Sequence, residues 1–159
     1  MSKGQLILDN SVLSAFAAGE WFHDISFWAP RYTLYTTERI WAHEFRPHHA
    51  FSKPEWLRVE TVDTSKLAAR TVELGEADWT LIGLAETLDD PVLVSNDKRL
   101  LEETERRGIE RIWGSKFVKQ TFESCGIDRQ AYDDGLPSYV RDVHLPDFVT
   151  AELRSAEKK

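Results

Sequence analysis

Two short, almost wholly apolar runs, Gln5-Leu6-Ile7-Leu8 and Pro91-Val92-Leu93-Val94, each stop on a polar turn that carries an aspartate: Asp9-Asn10-Ser11 and Ser95-Asn96-Asp97-Lys98. Runs this short have the length of strands, and a strand without polar alternation is buried on both faces. Burial on both faces calls for helices above and below a mainly parallel sheet, which leaves an α/β fold. In such sheets ligands bind outside the carboxyl ends of the strands, where both aspartates fall.

The rest of the chain alternates accordingly. From Ser11, the residues Val12, Leu13, Phe16 and Ala17 recur at helical spacing until Gly19. The aromatic-rich stretch from Trp21 to Pro30 reads as a short helix or a packed loop. Arg31 to Tyr35 has strand composition, and Thr36-Thr37 stand where they would cap a helix beginning near Glu38. Trp56 to Val62 alternates as an edge strand does. Two helical patterns, Ser65 to Leu74 and Glu76 to Leu88, are split by Gly75. Lys98 to Arg107 is a charged helix ended by Gly108, Ile109 to Trp113 a last strand, and Lys116 to Ser124 a helix stopped before Gly126. Beyond Ile127, Asp133-Asp134-Gly135-Leu136-Pro137 reads as a turn, Pro146 as a breaker and Lys158-Lys159 as a frayed end. The expectation is a three-layer α/β/α sandwich with a parallel sheet of about five strands. Residues 1–126 form its main body and residues 127–159 an extension packed on it or trailing from it.

Composition narrows the function classes. The chain has 159 residues, enough for one well-buried domain. The single cysteine, Cys125, excludes an internal disulfide or a cysteine-based zinc cluster and reads as a buried spectator. No apolar run approaches the ~20 residues of a membrane span, and Met1-Ser2-Lys3-Gly4 leads directly into a strand pattern; a cytoplasmic protein is expected. A net charge of −7 argues against a general nucleic-acid coat protein, although metal ions can supply local positive charge to an enzyme acting on RNA.

Four carboxylates stand where an α/β fold would gather them: Asp9 and Asp97 after strands, Glu44 on the apolar face of a helix that also carries Ile40, Trp41 and Phe45, and Asp78 at a helix start, sharing its face with Ile82 and Ala85. Crowded carboxylates repel unless a cation neutralises them, and an all-oxygen set selects Mg²⁺ or Mn²⁺. Such ions support attack of an activated water on a phosphodiester. Plain structural readings stand beside this one. Asp9, Asp78 and Asp97 are also placed to cap helices, Glu44 to pair with Arg39 or Arg46, and Glu76 to complement a helix dipole or to stand in for Asp78. Ser11 and Ser95 suit either caps or groups that orient a carboxylate, and Asn96 either a substrate contact or the turn itself. His48-His49 sit in a polar loop, and the six tryptophans, Trp41, Trp79 and Trp113 among them, sit in apolar patterns that favour the core. Arg39, Arg46, Lys53, Lys98, Arg99 and Lys116 are either an RNA path or a solvated face, and Phe22, Phe27 and Trp28 a candidate dimer patch.

Leu-Ile-Leu-Asp9-Asn-Ser, Thr36-Thr37 followed by Glu44 in Ile-Trp-Ala-His-Glu-Phe, Asp78 in Asp-Trp-Thr-Leu-Ile-Gly-Leu-Ala, and Val-Ser-Asn-Asp97-Lys together resemble the four acidic motifs of PIN-domain ribonucleases, many of them VapC-like toxin nucleases. The resemblance spans roughly residues 5 to 125. It implies strand order 3-2-1-4-5, one or two Mg²⁺ or Mn²⁺ ions, an RNA substrate, frequent homodimers and, for toxins, an antitoxin partner. It also leaves Glu76 as a possible substitute for Asp78, because in one subgroup an acid follows the corresponding glycine. The expected activity is metal-dependent endoribonuclease hydrolysis held by Asp9, Glu44, Asp97 and Asp78. The alternatives are a non-catalytic PIN-fold binding module and a phosphatase or receiver-type protein using Asp9 as phosphoacceptor. The absence of a second aspartate two residues after Asp9 lowers the phosphatase version.

Overall fold

In the computed structural model, which describes residues 3–67 and 73–157, five strands form one all-parallel sheet in the order β3-β2-β1-β4-β5. They are β1 (Gly4–Leu8), β2 (Tyr32–Thr37), β3 (Leu57–Glu60), β4 (Pro91–Ser95) and β5 (Glu110–Trp113). The order is the expected one, and the two apolar runs are its central neighbours: Leu8 lies opposite Val94 and Ile7 opposite Leu93, all four fully buried. Their lack of polar alternation follows from having helices on both sides.

The helices are α1 (Asn10–Ala18), α2 (Glu76–Thr87), α3 (Lys98–Arg106), α4 (Gly114–Glu123), α5 (Arg129–Val143) and α6 (Asp147–Arg154). Helix α1 packs with α4 and α5, while α2 lies on β2 and β4, and α3 on β4 and β5. Right-handed crossovers leaving β1 and β4 in opposite directions put α1 and α3 on opposite faces, which gives the three layers. The neighbours of β1 are β2 on one side and β4 on the other, so the chain switches direction there and a crevice opens at the carboxyl ends of β1 and β4.

Several elements differ from expectation. The stretch after Trp21 is a short helix as expected, a 3-10 helix (Phe22–Trp28), but its Phe22 and Trp28 are buried in the core and are not a surface dimer patch. Thr36 and Thr37 belong to β2, and Thr37 Oγ1 also accepts from Ile40 N at 3.2 Å, so one residue ends the strand and caps the next turn. That turn is a π-helix (Arg39–Phe45), closed by Arg46 N donating to Trp41 O at 2.9 Å. Of the expected helix Ser65 to Leu74, a 3-10 turn covers Thr64–Lys66; residues 68–72 lie outside the described residues, as does the Lys158-Lys159 end.

The turn expected at Asp133 to Pro137 is the middle of α5. Tyr132, Leu136, Tyr139 and Val143 recur at helical spacing through it and bury against the body of the protein, which outweighs one glycine and one proline. Pro137 faces outward, and Gly135 is needed: a Cβ there would stand 2.0 Å from Gly19 O. Trp21 stacks on Tyr132 at 5.7 Å and donates from Nε1 to Ala131 O at 2.9 Å, while Tyr132 stacks on Phe122 at 3.9 Å. The extension is thus packed on the body. Pro146 does break the helix, between α5 and α6. Cys125 is exposed, not buried, because it takes the left-handed conformation that ends α4 (φ 71°). Trp113, expected in the core, is 40% exposed.

Candidate metal-binding site

The site is assembled by backbone that has just left the sheet. Asp9 follows β1 and caps α1, with Oδ1 accepting from Asn10 N at 2.7 Å. Its other oxygen, Oδ2, accepts from Ser95 Oγ at 2.6 Å and from Ser11 Oγ at 3.1 Å. Burial pushes the Asp9 carboxyl up, the two serines and the Asn10 amide draw it back down, and Asp97 adds repulsion. A buried carboxylate is tolerable only with such donors around it.

Ser95 ends β4 and serves both acids, since its Oγ also accepts from Asp97 N at 2.9 Å. Ser11 Oγ accepts from Asn96 N at 2.9 Å, closing the loop from α1 to β4. Asn96 in turn holds its own bend to α4, with Oδ1 accepting from Ser115 N at 3.1 Å; these are turn-holding contacts. Asp97 caps α3 through Oδ1, which accepts from Arg99 N at 3.0 Å and Leu100 N at 3.3 Å. Both serines therefore touch a carboxylate directly, and both aspartates cap helices as well.

Asp78 enters from α2, half-buried, and accepts from the backbone N–H of Gly75. Burial, then the charges of Asp9 and Asp97, and last that of Glu44 raise its carboxyl to about 6. Asp78 thus stands within electrostatic reach of all three other candidates. Glu44 arrives on the π-helix, half-buried, and makes no ion pair with Arg39 or Arg46. Glu76 is exposed and accepts from Thr64 Oγ1, turned towards the 3-10 segment. Between Asp78 and Glu76, it is Asp78 that the fold sets against the other acids.

The donor chemistry fits a hard divalent cation: oxygen ligands, mutual repulsion and a preoriented Asp9. The side chains as placed are nonetheless spread. Among the described residues no group of three His, Cys, Asp or Glu side chains is gathered closely enough to enclose an ion.

Two features at this end were not read from the sequence. A buried hydroxyl pair, Thr37 and Thr80 at 2.8 Å, ties β2 to α2 next to the acids. A cleft of about 590 Å³ opens beside Asp97, walled by Ser11, Asn96, His49 and, from the end of α5, Arg141, Asp142 and His144. Asp97 is the one candidate acid that lines it. The available signal was the helical spacing of Tyr132, Leu136, Tyr139 and Val143, which carries α5 past Gly135 to the site. His48 is exposed, while His49 stacks on Phe45 at 4.7 Å, and its pKa is lowered by burial and by His48.

No protein-family model matches the chain, and a search of curated proteins found no relative. Among the described residues no helix is long and apolar enough to cross a membrane.

Proposed function

We propose that the protein is a PIN-like, metal-dependent endoribonuclease of the cytoplasm that hydrolyses RNA phosphodiester bonds. The observation that carries this reading is the placement of four acids on four different elements at one end of the sheet, around a buried and triply hydrogen-bonded Asp9. A fold that needed these acids only as caps would have no reason to set Asp78 within reach of three like charges. Asp9, Glu44, Asp78 and Asp97 would hold Mg²⁺ or Mn²⁺. When bound there, such an ion would supply activation of a water and charge compensation at the leaving oxygen. The chain's own part is to orient: Ser11 and Ser95 fix the Asp9 carboxylate, and the Asn96 bend fixes Asp97 relative to it. In the toxin version of this activity an antitoxin would cover the same end, and the resemblance implies a homodimer, the frequent assembly of such enzymes.

Replacing Asp9 or Asp97 with Asn should reduce Mg²⁺- or Mn²⁺-dependent cleavage of single-stranded RNA by about 100-fold or more. Undiminished cleavage by either variant would overturn the assignment. One observation favours a second reading, a PIN-fold module that binds without cutting: the acids as placed do not close around an ion. Calorimetry separates the two, since heat from Mn²⁺ binding that disappears in Asp9→Asn belongs to the enzyme, and no heat at all belongs to the module.

A further inference from the structure

A second cleft, of about 690 Å³, adjoins the first and shares Asn96, Val143 and His144 with it. Its walls come from the start of α4 and from α6, and they carry Trp113, Lys116, Lys119 and Phe148. Trp113 and Phe148, 40% and 69% exposed, are the exposed large hydrophobic side chains among the described residues, and both line this one cleft. Concentrating such side chains at one place costs solubility and marks a binding surface. The lining carries two ammonium groups, on Lys116 and Lys119, and one carboxylate, on Glu152, so it is cationic in a chain whose net charge is −7.

We infer that this cleft holds the single-stranded part of a nucleic acid as it leaves the acidic end of the sheet, with bases against Trp113 and Phe148 and phosphates against Lys116 and Lys119. Three observations select this occupant. Rings presented beside ammonium groups match the alternation of flat bases and anionic phosphates, and base stacking on aromatic side chains tolerates any sequence. The lysines offset the repulsion a polyanion would meet at Asp9, Asp78 and Asp97. The wall shared at Asn96, Val143 and His144 sets the two clefts side by side, so a strand leaving the acidic end meets this surface next. A duplex would keep its bases stacked inside, so the rings select an unpaired strand. The inference rests on the ribonuclease reading for the chemistry at the acidic end, and the surface itself is tested without cleavage.

The test is fluorescence anisotropy with a labelled, unpaired oligoribonucleotide of about 12 nucleotides, the full chain, and Ca²⁺ in place of Mg²⁺ to fill oxygen sites. Trp113→Ala and Phe148→Ala should each weaken binding by about tenfold. Lys116→Gln with Lys119→Gln should flatten the dependence of log K on log salt by about 1.4, two phosphate contacts' worth. A duplex of the same sequence should bind more weakly than the single strand. Cleft variants that bind as tightly as the unaltered chain overturn the inference, as does an unaltered chain that does not bind. If sedimentation equilibrium shows that Trp113→Ala and Phe148→Ala dissociate a dimer without changing oligonucleotide affinity, the cleft belongs to a second copy, and the inference is also overturned. Ring-dependent binding without any Mg²⁺- or Mn²⁺-dependent cleavage keeps the cleft and removes the nuclease. Cleavage and binding that both survive the ring substitutions keep the nuclease and remove the cleft.

Discussion

Asp78 concentrates the electrostatic cost of the acidic end. Its carboxyl titrates near 6 in the folded chain against 3.8 for an unperturbed aspartate, with burial as the first cause and Asp9, Asp97 and Glu44 as the others. Between those two values the folded state holds a proton that the unfolded state has released, so stability falls as pH rises through this window and the full cost is present above about pH 6. Asp78→Asn should therefore stabilise the protein above pH 6, by about 1 kcal/mol once solvent screening of this half-buried group is allowed for. The gain should vanish below about pH 4. Urea denaturation of both chains at several pH values checks this, and a gain that does not depend on pH would refute it. Divalent cations should act in the same direction on the unaltered chain: Mn²⁺ should raise its melting temperature more than that of Asp78→Asn, because the ion removes repulsion that the amide never had.

At the scale of elements, what was legible depended on whether a local pattern had a single physical solution. Gln5 to Leu8 and Val92 to Ser95 have one: an unalternating apolar run of that length is a strand covered on both sides, and both are. The acids after them were legible for the same reason, since a parallel sheet sends its strand ends to one edge. Elsewhere two rules competed. At Thr36-Thr37 the capping rule was right, but β2 runs through both residues before the π-helix begins, and no sequence period announces a π-helix. At Asp133 to Pro137 local turn chemistry pointed one way and the spacing of Tyr132, Leu136 and Tyr139 the other; tertiary burial decided for the helix. Cys125 and Trp113 run against their residue types because a helix end and a strand end expose side chains that their types would bury. Gly135 shows what this arrangement demands. Added carbon there would meet Gly19 O at 2.0 Å and the Trp21 ring at 2.8 Å, and both belong to well-packed neighbours. Gly135→Ala should cost about 3 kcal/mol by forcing α5 away from α1, even though alanine is the better helix former. Denaturant unfolding measures it; a neutral or stabilising effect would mean that α5 can shift freely.

For the whole molecule the question is whether residues 127–159 are an appendage or part of the core. Tyr132 and Tyr139 are buried to 1% and 0% exposure, Leu136 to 6%, and their partners include Trp21 and Phe122, themselves at 0%. Tyr132 also donates from its hydroxyl to Leu153 O at 2.6 Å, binding α5 to α6. Burying side chains of this size contributes about 2 kcal/mol each, so three of them account for about 6 kcal/mol. The net stability of a whole domain is about 5–15 kcal/mol. Ending the chain at Gly126 should therefore leave the five-strand sheet without a cooperative fold. Near-UV circular dichroism should be lost, far-UV signal largely kept, and 8-anilinonaphthalene-1-sulfonate should bind the uncovered Trp21 and Phe122 surface. A shortened chain that melts cooperatively near the temperature of the full one would refute this and make α5 and α6 a detachable cover. The same deletion removes Arg141, Asp142 and His144 from the cleft beside Asp97 and Phe148 from the cleft beyond it. Because α5 both completes the core and walls the acidic end, loss of function on truncation would come with loss of packing; the surface variants Trp113→Ala and Phe148→Ala separate the two effects.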